Sequence, residues 1–421
     1  MVGWCDDGIS WVMVRLHSLS LLAACTIALT ACAPSNGQVV APTVIFVSLD
    51  GFRWDFRERG NTPTLDSLAT VGVTAEHMIP VFPTMTFPSH YSMATGLYPE
   101  HHGIVSNRMF DPARDAWFAI DDRAAVEDGA WWNGEPIWLT AERQGITAAT
   151  FFWPGTETAI NGRHATHWYR FDASIPNDDR VDQVIEWLGL PADKQPQLIT
   201  LYFEDVDQAV HDHAIDSPEV HQALADVDAA LRRLMAGITH MGASDKVNII
   251  IVSDHGMAER SPERVIFLDD FVDLGAVDVI DWSPILMASA ADGDDERLYE
   301  QLDRAHPRLT VYRRDEMPDR FHFRENDRIP PIIGIADEGW SISTRSFFAR
   351  NPRAFDGHTH GYDNRAESMR TMFIGSGPAF AKERVVPPFE SVHLYELVCA
   401  ILGIEPAEND GNLAAVRGVL R

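Results

Sequence analysis

Thr43-Val-Ile-Phe-Val-Ser-Leu-Asp-Gly51 decides the fold. The run is apolar and β-branched, without a charge until it stops at Asp50-Gly51, the pattern of a strand covered on both faces in a parallel sheet. Residues 147–152, 198–203 and 247–252 repeat it. Between them the apolar spacing turns helical over 64–69, 136–143 and 180–188. It does so again from Ser217, a capping residue followed by Pro218 and the series Val220, Leu224, Val227, Leu231, Leu234 and Ile238. Strands alternating with helices predict an α/β fold, a three-layer α/β/α sandwich around a mostly parallel sheet. From about 260 to 340 the rhythm changes to acidic stretches and turns such as Ile329-Pro-Pro-Ile332. An inserted capping subdomain is expected there, with the main sheet resuming at 371–374.

The 421 residues are 45% apolar, 23% charged and 10% aromatic, enough for a large core, which excludes disordered and collagen-like classes. One main domain with elaborations suits this length. Against 62 acidic residues stand 34 Lys plus Arg, a formal charge of −28 that repels a phosphate backbone and excludes a nucleic-acid duplex as the partner. Any anion site must therefore be local and supplied with cations. Nothing in the pattern specifies an oligomer.

Residues 13–32 join one arginine to an apolar run too short to span a bilayer comfortably, then to small residues, as a secretory leader does. The end, Leu29-Thr-Ala-Cys32, resembles a lipobox. The expected organisation is a lipoprotein-type leader over 1–32 with Met13 as a candidate start, a polar tether over 33–42, and a catalytic domain over 43–420. Cys5 and Cys25 would leave with the leader and Cys32 would carry the lipid anchor to the membrane, so Cys399 remains alone and no disulfide framework forms. The expected location is exported, periplasmic or cell-envelope, with Ala33 after the cysteine leaning toward the outer membrane.

Ligands collect at the carboxyl ends of strands in such sheets, so polar residues just after apolar runs carry the chemistry. Asp50 follows the first strand; Glu204, Asp205 and Asp207 follow another, with His211 four residues beyond Asp207 on the same helical face. Asp254-His255 follows the next, and His358-Thr-His360 lies where the chain leaves the insertion. Aspartates and histidines on separate loops make a mixed N/O donor set that suits zinc. Thr86 stands before a helix start, where peptide N–H groups favour an anion. A threonine hydroxyl needs a base or a metal to act as nucleophile, and two zinc ions about 4 Å apart meet that need.

Together, Val47-Ser-Leu-Asp-Gly-Phe-Arg53, Thr84-Met-Thr-Phe-Pro88, Ser253-Asp-His-Gly-Met257 and Thr359-His-Gly-Tyr-Asp-Asn364 resemble the nucleotide pyrophosphatase/phosphodiesterase family of the alkaline phosphatase superfamily. The likeness extends through Gly134-Glu-Pro-Ile-Trp138, Phe152-Trp-Pro-Gly155, Ala336-Asp-Glu-Gly-Trp340 and Asn409-Asp-Gly411, so it covers about 43–420. It implies an alkaline-phosphatase-like fold and two Zn2+ per chain, one surrounded by Asp50, Thr86, Asp254 and His255, the other by Asp207, His211 and His360. It further implies that Thr86 attacks phosphorus, that a phospho-threonine is then hydrolysed with net retention, and that nucleotide-type diesters and pyrophosphates yield a nucleoside 5′-monophosphate.

Two departures stand out. Ser89 occupies the place where the family commonly has an Asn donor to a phosphoryl oxygen, and Val210 replaces a Gly before His211. Phe87 and either Trp168 or Tyr169 are the expected substrate-binding aromatics, able to stack on a base. A choline-phosphodiester or phospholipase-C-like hydrolase of the same family is the alternative enzyme, and an inactive metal-binding surface lipoprotein the alternative of another class. His101-His102 reads as structural, and 292–296 as a solvated acidic loop.

Overall fold

The computed structural model describes residues 39–421; the expected leader, Cys32 and most of the tether lie outside the described residues. An eight-stranded sheet forms the centre, in the order Arg384–Val386, Val73–Ala75, Phe373–Ser376, Val247–Val252, Thr43–Leu49, Leu198–Phe203, Ala148–Phe151, His167–Tyr169. Phe373–Ser376 is antiparallel to both its neighbours, and the other pairings are parallel. Thr43–Leu49 lies between Leu198–Phe203 and Val247–Val252 and is buried throughout. Its side chains alternate between two cores, Val44 and Phe46 on one face and Ile45, Val47 and Leu49 on the other. That is why the run reads as continuously apolar.

Helices cover both faces, completing the three layers. Pro63–Val71, Asn177–Leu188 and Pro218–His240 pack Leu65, Val184 and Leu231 into one core. Thr86–Thr95, Ile137–Arg143 and Leu394–Leu402 pack Tyr91, Trp138 and Leu397 into the other. Ser217 caps its helix by accepting the Val220 N–H at 3.3 Å. Cys399 is buried in the last of these helices, where burial pushes its thiol up to about 12.

Between Val247–Val252 and Phe373–Ser376 the chain builds a second, four-stranded antiparallel sheet, ordered Val277–Asp281, Ile285–Ala290, Ile332–Ala336, Leu309–Arg313, over its own core. Its Pro284 reaches the main domain, since a Cβ on Gly361 would come within 2.8 Å of Pro284 Cδ. Asp281 accepts a hydrogen bond from Ser106 at 2.5 Å.

Candidate two-metal active site

Three strands of the parallel sheet end together. Thr43–Leu49 delivers Asp50, Leu198–Phe203 delivers the helix Asp205–Asp212 with Asp207 and His211, and Val247–Val252 delivers Asp254 and His255. The short strand Gly357–Thr359 pairs with Ala258–Arg260 and ends at His360. The donor atoms sort into two groups, each within 4.8 Å: Asp50, Asp254 and His255, and Asp207, His211 and His360. The groups adjoin through the His255 and His360 rings, stacked at 3.6 Å and 9°. Gly51 makes this packing possible. Its φ is +64°, its N–H donates to Asp254 Oδ1 at 3.1 Å, and a Cβ there would lie 2.9 Å from the Asp207 Cα.

Second partners orient the donors. His360 Nδ1 donates to the Thr84 carbonyl at 2.9 Å and His255 Nδ1 to the Gly256 carbonyl at 3.2 Å, which turns each Nε2 to the site. His255 Nε2 then lies 3.0 Å from Asp254 Oδ2, 3.5 Å from Asp50 Oδ1 and 3.3 Å from Thr86 Oγ1. Tyr202 donates its hydroxyl to Asp50 Oδ2 at 2.5 Å. Thr86 is the first residue of the helix Thr86–Thr95.

The electrostatics call for cations. Burial, then the charges of Asp254 and Asp207, push Asp50 well above the usual carboxylate range, with Tyr202 opposing. Burial also raises Asp207, against the pull of His211 and His255. Asp254 is lowered: burial would raise it, but His255 and His90 outweigh that. Burial, then His255 and His211, hold His360 well below its ordinary value. Asp50 Oδ1, Asp207 Oδ1 and Asp254 Oδ2 are buried without a hydrogen-bond partner, a costly arrangement for carboxylates unless a cation completes it. The residues present therefore fit a metal pair, and their mixed oxygen and nitrogen donors fit zinc.

A cleft opens beside the carboxylates, walled by Phe87, Phe152, Trp153 and Phe171, with Arg123 and Glu157 bonded to each other at 2.8 Å further along. Of the expected substrate-binding residues, only Phe87 lines it. Ser89 is fully buried with its hydroxyl unpartnered, because three residues into the helix it sits about 4.5 Å deeper than Thr86 and inside the core. Trp168 and Tyr169 stand on the edge strand, away from the cleft. Trp168 stacks on His164 at 4.0 Å, and the Tyr169 hydroxyl donates to Gln183 at 2.8 Å. Phe171, two residues further, takes the wall position instead.

The sequence reading also missed Asn107. Its Oδ1 accepts the Phe87 N–H at 3.0 Å, so the helix-start N–H of the residue after Thr86 is already engaged by the Asn107 amide. Tyr202 was missed too, as it reads as one more residue of a buried strand. Val210 packs into the core that holds Leu65, Val184 and Leu231. His102 is fully buried, with Ser92 at 2.9 Å on Nε2 and the Ile104 N–H on Nδ1, a structural role.

Residues 44–363 match the profile of the family described as type I phosphodiesterase/nucleotide pyrophosphatase. The chain belongs to this family. It is 38% identical over 381 residues to human ectonucleotide pyrophosphatase/phosphodiesterase family member 5, covering 90% of this chain and 78% of that one. An uncharacterized pyrophosphatase/phosphodiesterase of Schizosaccharomyces pombe is also 38% identical, over 389 residues, 90% of this chain and 80% of that one. Among solved structures, murine ectonucleotide pyrophosphatase/phosphodiesterase 5, an inactive threonine-to-alanine variant in complex with AMP, superposes with a TM-score of 0.85 at 36% identity. That match covers 90% of this chain and all of the murine one. The fold is thus the alkaline-phosphatase-like α/β sandwich expected, and the chain is an enzyme of this metal-dependent family.

Proposed function

We propose that the enzyme is a two-zinc phosphodiesterase that cleaves nucleotide diesters and pyrophosphates to release a nucleoside 5′-monophosphate. The observation that carries this is the placement of Thr86 Oγ1 at 3.3 Å from His255 Nε2, beside two donor groups holding three unpartnered carboxylate oxygens. Asp50, Asp254 and His255 with Thr86 would hold one zinc, and Asp207, His211 and His360 the other. When bound, the pair would supply Lewis-acid charge neutralisation and favour the ionised hydroxyl. Thr86 Oγ attacks phosphorus as the P–O bond to the leaving group breaks, and water then releases the phosphoryl group from Thr86. Two displacements give net retention. Asn107, whose Oδ1 accepts the Phe87 N–H, would donate its NH2 to a phosphoryl oxygen, and Phe87 with the aromatic wall of the cleft would take a planar base.

Initial rates with zinc on p-nitrophenyl thymidine 5′-phosphate, p-nitrophenyl phosphorylcholine and p-nitrophenyl phosphate test this, with Thr86→Ala in parallel. A large preference for the thymidine ester, abolished in Thr86→Ala while zinc still binds, is expected. Preference for the choline ester would overturn the substrate, and unchanged turnover in Thr86→Ala would overturn the mechanism. Export and anchoring through Cys32 belong to the same proposal and rest on the leader sequence. Loss of radiolabelled palmitate from Cys32→Ser checks them.

A further inference from the structure

We propose that His90 is a positioning residue that holds Thr86 beside Asp254, its ring N–H bonded to the Thr86 carbonyl and set against the Asp254 carboxylate. This role presupposes the two-metal threonine chemistry above. His90 follows Thr86 by one helical turn, and its ring is fully buried. Its Nδ1 lies 2.8 Å from the Thr86 carbonyl oxygen and 3.4 Å from Asp254 Oδ2. The carbonyl oxygen only accepts, so Nδ1 carries the proton and donates it to Thr86, while the unpartnered Asp254 Oδ2 lies beside the same N–H without a hydrogen bond. Nε2 meets the Ser48 hydroxyl at 2.8 Å, on the central strand. One ring therefore ties the nucleophile helix to the middle of the sheet and rests against the Asp254 carboxylate.

The ring is also prevented from turning. Trp153 and Tyr202 stand edge-on to it at 5.2 and 5.3 Å, with interplanar angles of 86° and 75°. Trp153 Nε1 donates to the His90 backbone carbonyl at 3.1 Å, and the Tyr202 hydroxyl goes on to Asp50. Both aromatics line the cleft, so the wall that meets substrate also clamps His90. A ring needed for packing alone would require its shape and not two aligned nitrogens. Here Nδ1 holds the backbone of the nucleophile residue and Nε2 the central strand, with the Asp254 carboxylate alongside.

Three variants of the zinc-loaded enzyme separate positioning from packing. His90→Asn puts an amide nitrogen near the place of Nδ1; His90→Gln reaches the place of Nε2 and leaves the Thr86 carbonyl without its donor beside Asp254; Ser48→Ala removes only the far partner. The measurements are kcat and KM on p-nitrophenyl thymidine 5′-phosphate, zinc affinity by competition with a chromophoric chelator, and Tm without metal. His90→Gln is expected to lose about 100-fold in kcat with KM nearly unchanged and to bind zinc about 10- to 100-fold more weakly. His90→Asn should recover to within about tenfold of the unmodified enzyme, and Ser48→Ala should stay within a few-fold. Equal losses in Asn and Gln, or losses that track Tm across the three, would overturn the proposal. If the Gln variant does not fold, a His90→Asn kcat below a tenth of normal overturns it alone. Failure of the underlying chemistry would look different: the unmodified enzyme would ignore both chelator and zinc.

Discussion

Asn107 concentrates the residue-scale question, because its amide oxygen is fixed by the Phe87 N–H and only its NH2 remains to meet a phosphoryl oxygen. A preorganised donor of this kind acts where charge develops, so Asn107→Ala should lower kcat by about 10²- to 10³-fold. Asn107→Asp keeps an oxygen for Phe87 but presents an acceptor and a charge to the phosphate. It should be at least as impaired, and full activity in Asn107→Asp by steady-state kinetics would remove the role. Asn107 was illegible in the sequence because it follows no apolar run and sits in no patterned stretch. Asp50, Asp207, Asp254 and His255 were legible for the opposite reason: each lies just beyond a buried strand, where the sheet must deliver it to one end. Ser89 misled because spacing along a helix gives a face and not a depth, and this helix enters the core within one turn.

Among the elements, the long central strands and the amphipathic helices announced themselves, whereas the edge strands His167–Tyr169 and Arg384–Val386, and Val73–Ala75 next to the latter, are three residues each, too short for any period to register. His167–Tyr169 is the costly omission, since an exposed edge strand explains why Trp168 and Tyr169 miss the cleft. The insertion showed only as a change of rhythm, yet its loop over 314–331 is bound tightly to the main domain. Arg328 donates to Asp111 at 2.9 Å and to the Gly103 and Trp131 carbonyls at 2.7 Å each, and Glu100 accepts the Arg324 and Glu325 N–H groups at 2.6 and 2.9 Å. Arg328 and Asp111 are buried, so Arg328→Met leaves an unpaired carboxylate and should cost about 3–5 kcal/mol, read as a fall in the urea midpoint. Adding Asp111→Asn, which keeps the turn acceptor and drops the charge, should restore part of that loss. A midpoint unmoved by Arg328→Met would show that this loop is not held by the pair.

For the whole molecule, a net charge of −28 sits around a catalytic end where three buried carboxylates crowd together, so the native state without metal is under electrostatic load at one place. The pKa directions turn this into a pH dependence. Asp50 and Asp207 are raised in the metal-free fold, mainly by burial, and so hold protons that the unfolded chain releases near pH 4. Such groups stabilise the metal-free protein fully below about pH 4, and that contribution is lost as pH rises through their raised folded values. His255 is raised as well, burial being outweighed by Asp254, and works in the same sense above about pH 6.5. Zinc must displace these protons, so its affinity rises with pH, and a metal held at 100 times its dissociation constant stabilises by about 2.7 kcal/mol. The difference in Tm between zinc-saturated and EDTA-treated enzyme should therefore widen steadily from pH 5 to pH 8. Asp50→Asn should flatten the rise, because it removes one proton from the exchange while keeping the Tyr202 hydrogen bond possible. A difference that stays constant or shrinks with pH would mean that the buried carboxylates are not metal ligands, since no other source of the crowding would leave zinc binding indifferent to their protons.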